Sequence, residues 1–147
     1  MIPRVVVIGG GAAGLMASAA LLEAGVPVTQ YLIERNNGLG KKVIISGGGR
    51  CNVTTGLPSL QEVLKRYPRG SSFLKAAFHR VPPSAVMSWF EAQGVPLKIE
   101  EDQRVFPVSD RGTDIVEVFK DLFRHSSCAI LLGHAVKKKK KTTSGFR

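Results

Sequence analysis

The apolar residues near the amino terminus change their spacing twice. Residues 4–8, RVVVI, form a continuous and mostly β-branched run that leads into glycines, which predicts a buried strand of a parallel sheet. The apolar residues of 15–25, LMASAALLEAG, recur at helical spacing until Gly25 supplies a helix stop. Residues 28–34, VTQYLIE, then predict a second strand. This order of strand, turn, helix and strand indicates a βαβ unit.

The middle of the chain predicts short amphipathic helices and one hairpin. Ser59 and Glu62 have the spacing of a capping box at a helix start. Residues 96–108 alternate and turn near 101–103, which is typical of a two-stranded hairpin. The apolar spacing elsewhere predicts helices over 59–67, 71–81, 82–94 and 109–126 and a strand over 128–136. The expected fold class is therefore α/β, with a parallel sheet, a helical excursion and a small β-ribbon.

Composition excludes several classes of protein. The chain has 147 residues, 44% hydrophobic and 22% charged, which is ordinary for a globular domain. No apolar stretch approaches the length that crosses a bilayer, so no membrane partner is expected. Two cysteines without CxxC, HExxH or Cys/His clusters predict no metal site. No signal-peptide pattern is present, so a reducing, cytoplasmic location is expected, and an organellar one stays open if the amino terminus is incomplete.

The positive charge is concentrated near the carboxyl terminus. The net charge is +10, and Lys137–Lys141 supply five of the 21 basic residues. No aromatic residue lies among these lysines, so a solvated end or hairpin is favoured over a nucleic-acid site. This pattern disfavours a nucleic-acid partner, and a steep salt dependence of binding would reveal one. The following TTSG predicts a turn, after which GFR begins a return strand.

Gly9, Gly11 and Gly14 form a G-x-G-x-x-G motif between the first strand and the first helix, which is the context that dinucleotide binding requires. Gly9 permits the tight turn, Gly11 lets a pyrophosphate approach the backbone, and Gly14 lets the helix pack closely on the sheet. Glu34 ends the second strand, where an acid can accept both hydroxyls of an adenine ribose. It would repel a 2′-phosphate, so FAD or NAD is favoured over NADP. The alternative is that the glycines serve only packing and Glu34 is a surface charge.

A second glycine cluster, GGGRCN, covers residues 47–52. A glycine-rich loop beyond the second strand can present backbone N–H groups to another part of a long ligand. Arg50 can neutralise a phosphate, and Asn52 can donate and accept hydrogen bonds. The alternative is a flexible loop without a ligand. Cys51 has no partner cysteine nearby and is predicted to be a small buried residue rather than a redox group.

Three stretches carry a family resemblance: VVVIGGGAAGLMAS, ERNNGLGKKVIISGGGRCNVT and GVPLKIEEDQRVFPVSDRGTDIVEVF. They resemble the bacterial NAD(P)/FAD-dependent oxidoreductases, a flavoprotein family with aminoacetone-oxidase-like members and a reductase of bile-acid intermediates. The resemblance implies a Rossmann-like FAD/NAD(P)-binding domain of the two-dinucleotide-binding-domain type. Family members continue well past residue 147, so a truncated form of that fold is expected. The expected division is an FAD-binding part over 1–136 and a basic hairpin or tail over 137–147.

The resemblance also implies roles for individual residues. The FAD pyrophosphate would be held by Gly9, Gly11, Ala13 and Gly14. Glu34 and Arg35 would lie at the adenosine ribose. The path towards the flavin would be lined by Lys42, Gly49, Arg50, Cys51 and Asn52. Beside the cofactor, Arg104, Phe106, Pro107 and Ser109 match a family stretch in which Gln103 stands in place of the usual glycine.

The implied activity is hydride transfer through FAD between a small-molecule substrate and NAD(P)H, the candidate electron donor. No catalytic acid or base can be assigned from the sequence, and the histidines at 79, 125 and 134 show no ligand spacing. A non-catalytic dinucleotide-binding fragment is the main alternative. A single-site NAD dehydrogenase is a third reading, which the second glycine cluster disfavours.

Overall fold

The computed structural model describes residues 2–143 and 145–146. The chain divides into two compact units, unit 1 with residues 1–42 and 119–147 and unit 2 with residues 43–118. The strands are β1 (Arg4–Ile8), β2 (Thr29–Glu34), β3 (Thr54–Thr55), β4 (Leu97–Ile99), β5 (Arg104–Pro107), β6 (Cys128–Leu132), β7 (Lys141–Thr142) and β8 (Gly145–Phe146). The helices are α1 (Ala12–Glu23), α2 (Lys41–Ile45), α3 (Leu60–Lys65), α4 (Ser71–Arg80), α5 (Pro83–Ala92) and α6 (Gly112–Arg124).

Unit 1 is built on a three-stranded parallel sheet with the order β1-β2-β6. The central strand β2 buries alternate residues, Gln30, Leu32 and Glu34, because successive side chains point to opposite faces of the sheet and α1 packs on the face of Gln30. Helix α1 packs on β1 and β2 with Leu15 and Ala19 buried. The predicted βαβ unit and the predicted α/β fold are confirmed.

The ends of the elements of unit 1 have local causes. Gly25 has φ +62° directly after the helix, a conformation that glycine adopts without steric cost, so it ends α1 as predicted. The strand predicted over 128–136 is shorter in the structure. It stops at Leu132 because Gly133 turns the chain with φ +71°. The residues after that turn, 134–136, line a cavity of unit 1.

Unit 2 contains α3–α5 and an antiparallel sheet with the order β3-β5-β4. Ser59 caps α3 by accepting a hydrogen bond from the Glu62 amide at 3.2 Å, which confirms the predicted N-cap. The Glu62 carboxylate accepts from the Ser59 hydroxyl at 2.7 Å, in place of the Ser59 amide of a full capping box. The hairpin of β4 and β5 also forms as predicted. Its turn places Gln103 at φ +68°, a left-handed conformation that favours glycine.

Two elements were not predicted. Residues 41–45, an apolar piece of the sequence, form the short helix α2. Strand β3 has two residues and exists only through its pairing with β5, so no local pattern announces it. At the other end of the chain, β7 and β8 pair as the predicted hairpin, and Ser144 of its turn lies outside the described residues. The predicted boundary at residue 136 stays a prediction.

Among the described residues, no helix is both long and apolar enough to cross a membrane.

Candidate functional site

A cavity of about 410 Å³ opens in unit 1 at the carboxyl ends of its parallel strands. Its volume lies within the range of roughly 300–1,000 Å³ that is usual for small-molecule sites. Ligands of open parallel sheets bind outside the carboxyl ends of the strands, which is where this cavity lies. It is lined by residues 8–11, 33–36, 41–42 and 134–136.

Each glycine of the first motif has its own structural reason. Gly9 adopts φ +103° to turn out of β1, and its amide donates to the Ile33 carbonyl oxygen at 2.7 Å. A Cβ at Gly14 would overlap the carbonyl oxygen of Gly9, so only glycine allows α1 to lie this close to the strand. A Cβ at Gly11 would meet nothing within 4 Å. Packing therefore does not require glycine at position 11, and the absence of a side chain leaves the backbone open beside the cavity.

Glu34 holds the glycine loop in place. Its carboxylate accepts from the Gly10 amide at 2.7 Å, from the Asn36 amide at 2.8 Å and from the Asn36 side chain at 2.5 Å. The hydrogen bonds from Asn36 and Gly10 lower the pKa of Glu34, although its burial opposes them. Three of the roughly four acceptor positions of the carboxylate are filled in this way. Glu34 thus joins the ends of β1 and β2 at the floor of the cavity and keeps limited room for a ribose hydroxyl.

Gly10, the middle glycine of GGG, is also required by the packing. A Cβ there would lie 2.5 Å from Leu39 Cδ2 and 3.2 Å from Glu34 Cβ. Its carbonyl oxygen accepts a hydrogen bond from the Gly40 amide at 2.7 Å. The motif G-x-G-x-x-G makes no demand on this position, so no role for Gly10 was predicted from the sequence. The GGG triplet was the signal that could have found it.

The amino terminus of α1 points its unpaired amides towards the end of the sheet. The first hydrogen bond here runs from the Leu15 amide to the Gly11 carbonyl oxygen at 2.9 Å. No side chain caps the helix, and its first turn contains no acidic residue. The positive end of the helix dipole is therefore available to a phosphate, as the motif predicts.

Basic side chains line the same cavity. Arg35 follows β2, and Lys41 and Lys42 begin α2. His134 lies on the wall after β6, where its amide donates to the Glu34 carbonyl oxygen at 3.0 Å and its Nδ1 lies 2.6 Å from the Leu132 carbonyl oxygen. The cavity therefore combines amide donors and cations, which suits an anionic ligand.

The second glycine cluster lies in unit 2 and is packed against the hairpin of β4 and β5. Gly47 has φ +56°, and a Cβ there would lie 2.8 Å from Phe106 Cε1 and 2.9 Å from the Asn52 amide. The amides of Arg50 and Cys51 both donate to the Ser46 carbonyl oxygen. These two amides are therefore used inside the loop and not offered to a ligand.

Arg50 is surrounded by groups of unit 2. Its guanidinium lies 2.5 Å from a Glu100 oxygen, 3.5 Å from an Asp110 oxygen and 3.9 Å from the centre of the Phe106 ring. Lys98 pairs with Asp110 at 2.6 Å, and hydrogen bonding to that ammonium lowers the pKa of Asp110. Two carboxylates compensate the charge of Arg50, so its predicted role at a phosphate has a structural competitor.

Two further residues of unit 2 carried predictions. Arg104 pairs with Asp102 at 2.6 Å on the exposed side of the hairpin. Cys51 is buried, and this burial raises the pKa of its thiol, with a smaller opposing effect from Ser46. The prediction of a small buried residue is confirmed. Among the described residues, no group of three His, Cys, Asp or Glu side chains is placed to hold a metal ion.

The structure brings five of the predicted site residues to one cavity. These are Gly9, Gly11, Glu34, Arg35 and Lys42. Ala13 and Gly14 belong to the same unit but lie behind the lining, in α1. Gly49, Arg50, Cys51, Asn52 and Arg104 belong to unit 2, so a site shared by both groups stays a prediction. Sequence reasoning missed Asn36, Lys41 and 134–136, and the only signal for the last was a glycine that follows an apolar run.

The amino-acid sequence of the chain is similar to those of several curated proteins. The chain is 24% identical over 143 residues to the 3-dehydro-bile acid delta(4,6)-reductase of Clostridium scindens, covering 97% of this chain and 34% of that protein. It is 32% identical over 128 residues to the ribosomal RNA dihydrouridine synthase of Haemophilus influenzae, covering 86% of this chain and 30% of that protein. The Escherichia coli protein of that name is 28% identical, covering 96% and 34%. The chain thus spans about a third of the length of these curated relatives.

Among solved structures, the crystal structure of Thermovibrio ammonificans THI4 superposes with a TM-score of 0.52 at 15% identity. The match covers 99% of this chain and 45% of that one, and it supports the Rossmann-like fold. The family model described as HI0933-like protein Rossmann domain matches residues 3–147. The chain therefore belongs to the HI0933-like Rossmann domain family, and the predicted resemblance is confirmed.

Proposed function

As a member of the HI0933-like Rossmann domain family, this chain is, we propose, the FAD-binding part of an oxidoreductase. The observation that carries the proposal is the cavity of unit 1, where the open face of Gly11, the uncapped start of α1 and the carboxylate of Glu34 meet at the ends of the parallel strands. This set of groups fits the adenosine and pyrophosphate of a dinucleotide.

The residues of unit 1 have separate roles in this proposal. The amides at the start of α1 hold the pyrophosphate, and Arg35, Lys41 and Lys42 add positive charge around it. Glu34 keeps Gly10 in place and contacts the ribose with its remaining acceptor position. When bound, the flavin supplies hydride transfer between a nicotinamide donor and a substrate. The names of the relatives support a reductase in general, and NAD(P)H as the donor belongs to the proposal.

The substrate class is the least constrained part. A small molecule is proposed first, in line with the bile-acid relative. A uridine base of RNA is the second candidate, because two relatives are named for ribosomal RNA dihydrouridine synthesis. The alternative to catalysis is a module that binds a dinucleotide without turning over a substrate.

The decisive experiment is a visible absorption spectrum of the purified chain before and after addition of FAD, followed by desalting. Flavin bands that stay with the protein support the proposal. Titrations with NAD and NADP, followed by tryptophan fluorescence or calorimetry, provide the comparison. Tight binding of NAD with no retained flavin would overturn the FAD assignment and leave the nucleotide cavity intact. A chain that binds none of the three would overturn the nucleotide site itself.

A further inference from the structure

The net positive charge of the protein is almost entirely in unit 1. Unit 1 contains twelve Lys and Arg against three Asp and Glu, a net charge of +9, while unit 2 contains nine against eight, a net charge of +1. Since the two units are of similar size, the difference does not follow from length. Unit 1 is a strongly basic body that the dinucleotide site alone does not require.

The lysine run near the carboxyl terminus also differs from the cations around the second glycine cluster. In unit 2, Arg50, Lys98 and Arg104 each contact a carboxylate. In unit 1, Lys137–Lys141 are exposed, and within 2–143 and 145–146 none of the five forms an ion pair. Unpaired lysines on a surface repel one another and attract polyanions. No acidic side chain of the described residues neutralises the charge of this run.

The lysine run continues into a hairpin that carries an aromatic residue. Residues 137–143 and 145–146, here called the lysine ribbon, start directly after Val136, the last residue that lines the cavity. The strands β7 and β8 bring Lys141 opposite Phe146. Phe146 is 73% exposed, and Lys139 Nζ lies 6.0 Å from the centre of its ring. The absence of aromatics among the lysines in sequence is therefore made up by the hairpin.

We propose that the lysine ribbon is a docking surface for single-stranded nucleic acid. The lysines neutralise backbone phosphates and release their counterions. Phe146 offers a ring face on which a base stacks. An anionic membrane would be met by the same charges, but a surface-binding segment also needs an apolar face. The ribbon has one exposed large apolar side chain among its described residues, Phe146. This surface is independent of whether the cavity takes FAD.

The test measures fluorescence anisotropy of labelled oligouridine and oligodeoxythymidine with the whole chain over a range of KCl concentrations. In the ribbon variant, all five lysines of 137–141 are changed to Gln. The matched control removes five cations from α3, α4 and the segment between them in unit 2, which are exposed in the same way. Its five substitutions to Gln are at Lys65, Arg66, Arg69, Lys75 and Arg80. Both variants lose the same net charge, so only the position differs.

The ribbon variant is expected to bind at least about 30-fold more weakly at moderate salt, with a log–log salt slope that is shallower by about 3, because each phosphate contact contributes roughly 0.7. The control variant should change affinity by less than about threefold. Equal losses in both variants would show that net charge alone attracts the probe and would overturn the proposal. A parent chain that binds neither oligonucleotide would overturn it as well.

A second substitution separates stacking from charge. Phe146→Ala should weaken oligonucleotide binding about tenfold, since a stacked base is worth about 1–3 kcal/mol, and Phe146→Tyr should retain it. Circular dichroism melts of each variant check that unit 1 stays folded.

Co-sedimentation with mixed phosphatidylcholine and phosphatidylserine vesicles tests whether the partner is a membrane instead. A chain that binds the vesicles and ignores both oligonucleotides has a membrane partner, which contradicts the proposal. The comparison of the two oligonucleotides then distinguishes RNA from DNA.

Discussion

The two glycine clusters look alike in sequence and do different work in the structure. In unit 1, Gly11 faces open space beside a cavity, and the helix that follows it has no cap. In unit 2, Gly47 packs closely against Phe106 and the Asn52 amide. The amides of Arg50 and Cys51 donate to the Ser46 carbonyl oxygen. The first cluster is open to a ligand. In the second, Gly47 and the amides of Arg50 and Cys51 are engaged by their own unit, while a Cβ at Gly48 or Gly49 would meet nothing within 4 Å.

This difference shows that a glycine run is not by itself a phosphate site. What decides is where the amides and the missing Cβ atoms point. Even within the first cluster, Gly14 and Gly10 are required by backbone and side-chain neighbours, and Gly11 is required by none. Substitutions at these positions should therefore separate folding from binding.

The largest effect is expected at Gly14. In Gly14→Ala, the new methyl group overlaps the Gly9 carbonyl oxygen, so α1 must move away from β1. Overpacking lowers the free energy of unfolding by about 1–3 kcal/mol, and the upper end applies here because the obstacle is a backbone atom. The higher helix propensity of Ala than of Gly offsets about 1 kcal/mol of this loss. We expect a net loss of about 2 kcal/mol in the free energy of unfolding, measured by urea denaturation. Gly38→Ala, in open space, should stay within about 0.5 kcal/mol. Equal stability of both variants would mean that α1 does not pack this closely.

Binding should be lost at Gly11 without loss of the fold. Gly11→Val places a branched side chain on the open face where the pyrophosphate approaches. We expect FAD affinity to fall at least about 100-fold, the equivalent of two hydrogen bonds to a charged group at about 1.5 kcal/mol each. The melting temperature should change little, since replacing a helix N-cap residue costs about 1 kcal/mol. Gly38→Val is the matched control in calorimetry and should bind as the parent does. Parent-like binding by Gly11→Val would contradict the placement of the pyrophosphate.

The pH dependence of stability should report on Glu34. Its pKa is lowered from an ordinary value of 4.5 by the amides of Asn36 and Gly10. A lowered pKa in the folded state stabilises fully above the unfolded value, and this contribution is lost as the pH falls through the folded pKa. Glu34→Gln should be less stable than the parent at neutral pH, and the gap should close in acid. Denaturation curves measured down the pH scale test this. A gap that does not change with pH would show that the charge of Glu34 is not what holds Gly10.

The smallest effect is expected in the second cluster and tests what Arg50 is for. Glu100→Gln removes one carboxylate from the guanidinium and keeps the side-chain shape. Both partners are about 30% exposed, so the loss of stability should be at most about 1 kcal/mol. FAD affinity should not change, because Asp110 and the Phe106 ring still hold the guanidinium. Calorimetry gives the comparison, with Glu101→Gln on the exposed turn as the control. Tighter FAD binding by Glu100→Gln would show that Arg50 reaches a phosphate.

The strengths and gaps of the sequence reading have physical causes. The βαβ unit, the capped helix α3 and the hairpin were readable because each is fixed by contacts between residues close in the chain. Strand β3 was missed because two residues carry no period and gain their structure from pairing with β5. The helix α2 was not predicted because a short apolar run suits either a strand or a helix.

The site divides along the same line. Gly9, Gly11 and Glu34 were found because they lie at the ends of strands that the sequence itself reveals, whereas Arg35 and Lys42 were implied only by the family resemblance. The wall at 134–136 was not found, since it reaches the cavity only through the parallel pairing of β6 with β2. That pairing joins segments about a hundred residues apart, and no local pattern specifies which strand lies beside which.

By itself, the sequence determined the α/β class, the glycine motif after the first strand and the acid at the end of the second. These depend on local propensities and on spacing along the chain, which the residues carry wherever they lie. Only the tertiary structure decided the order β1-β2-β6, the competitors of Arg50 and the separation of charge between the units. These depend on contacts between distant residues, and the role of a glycine or an arginine follows from which neighbours it meets.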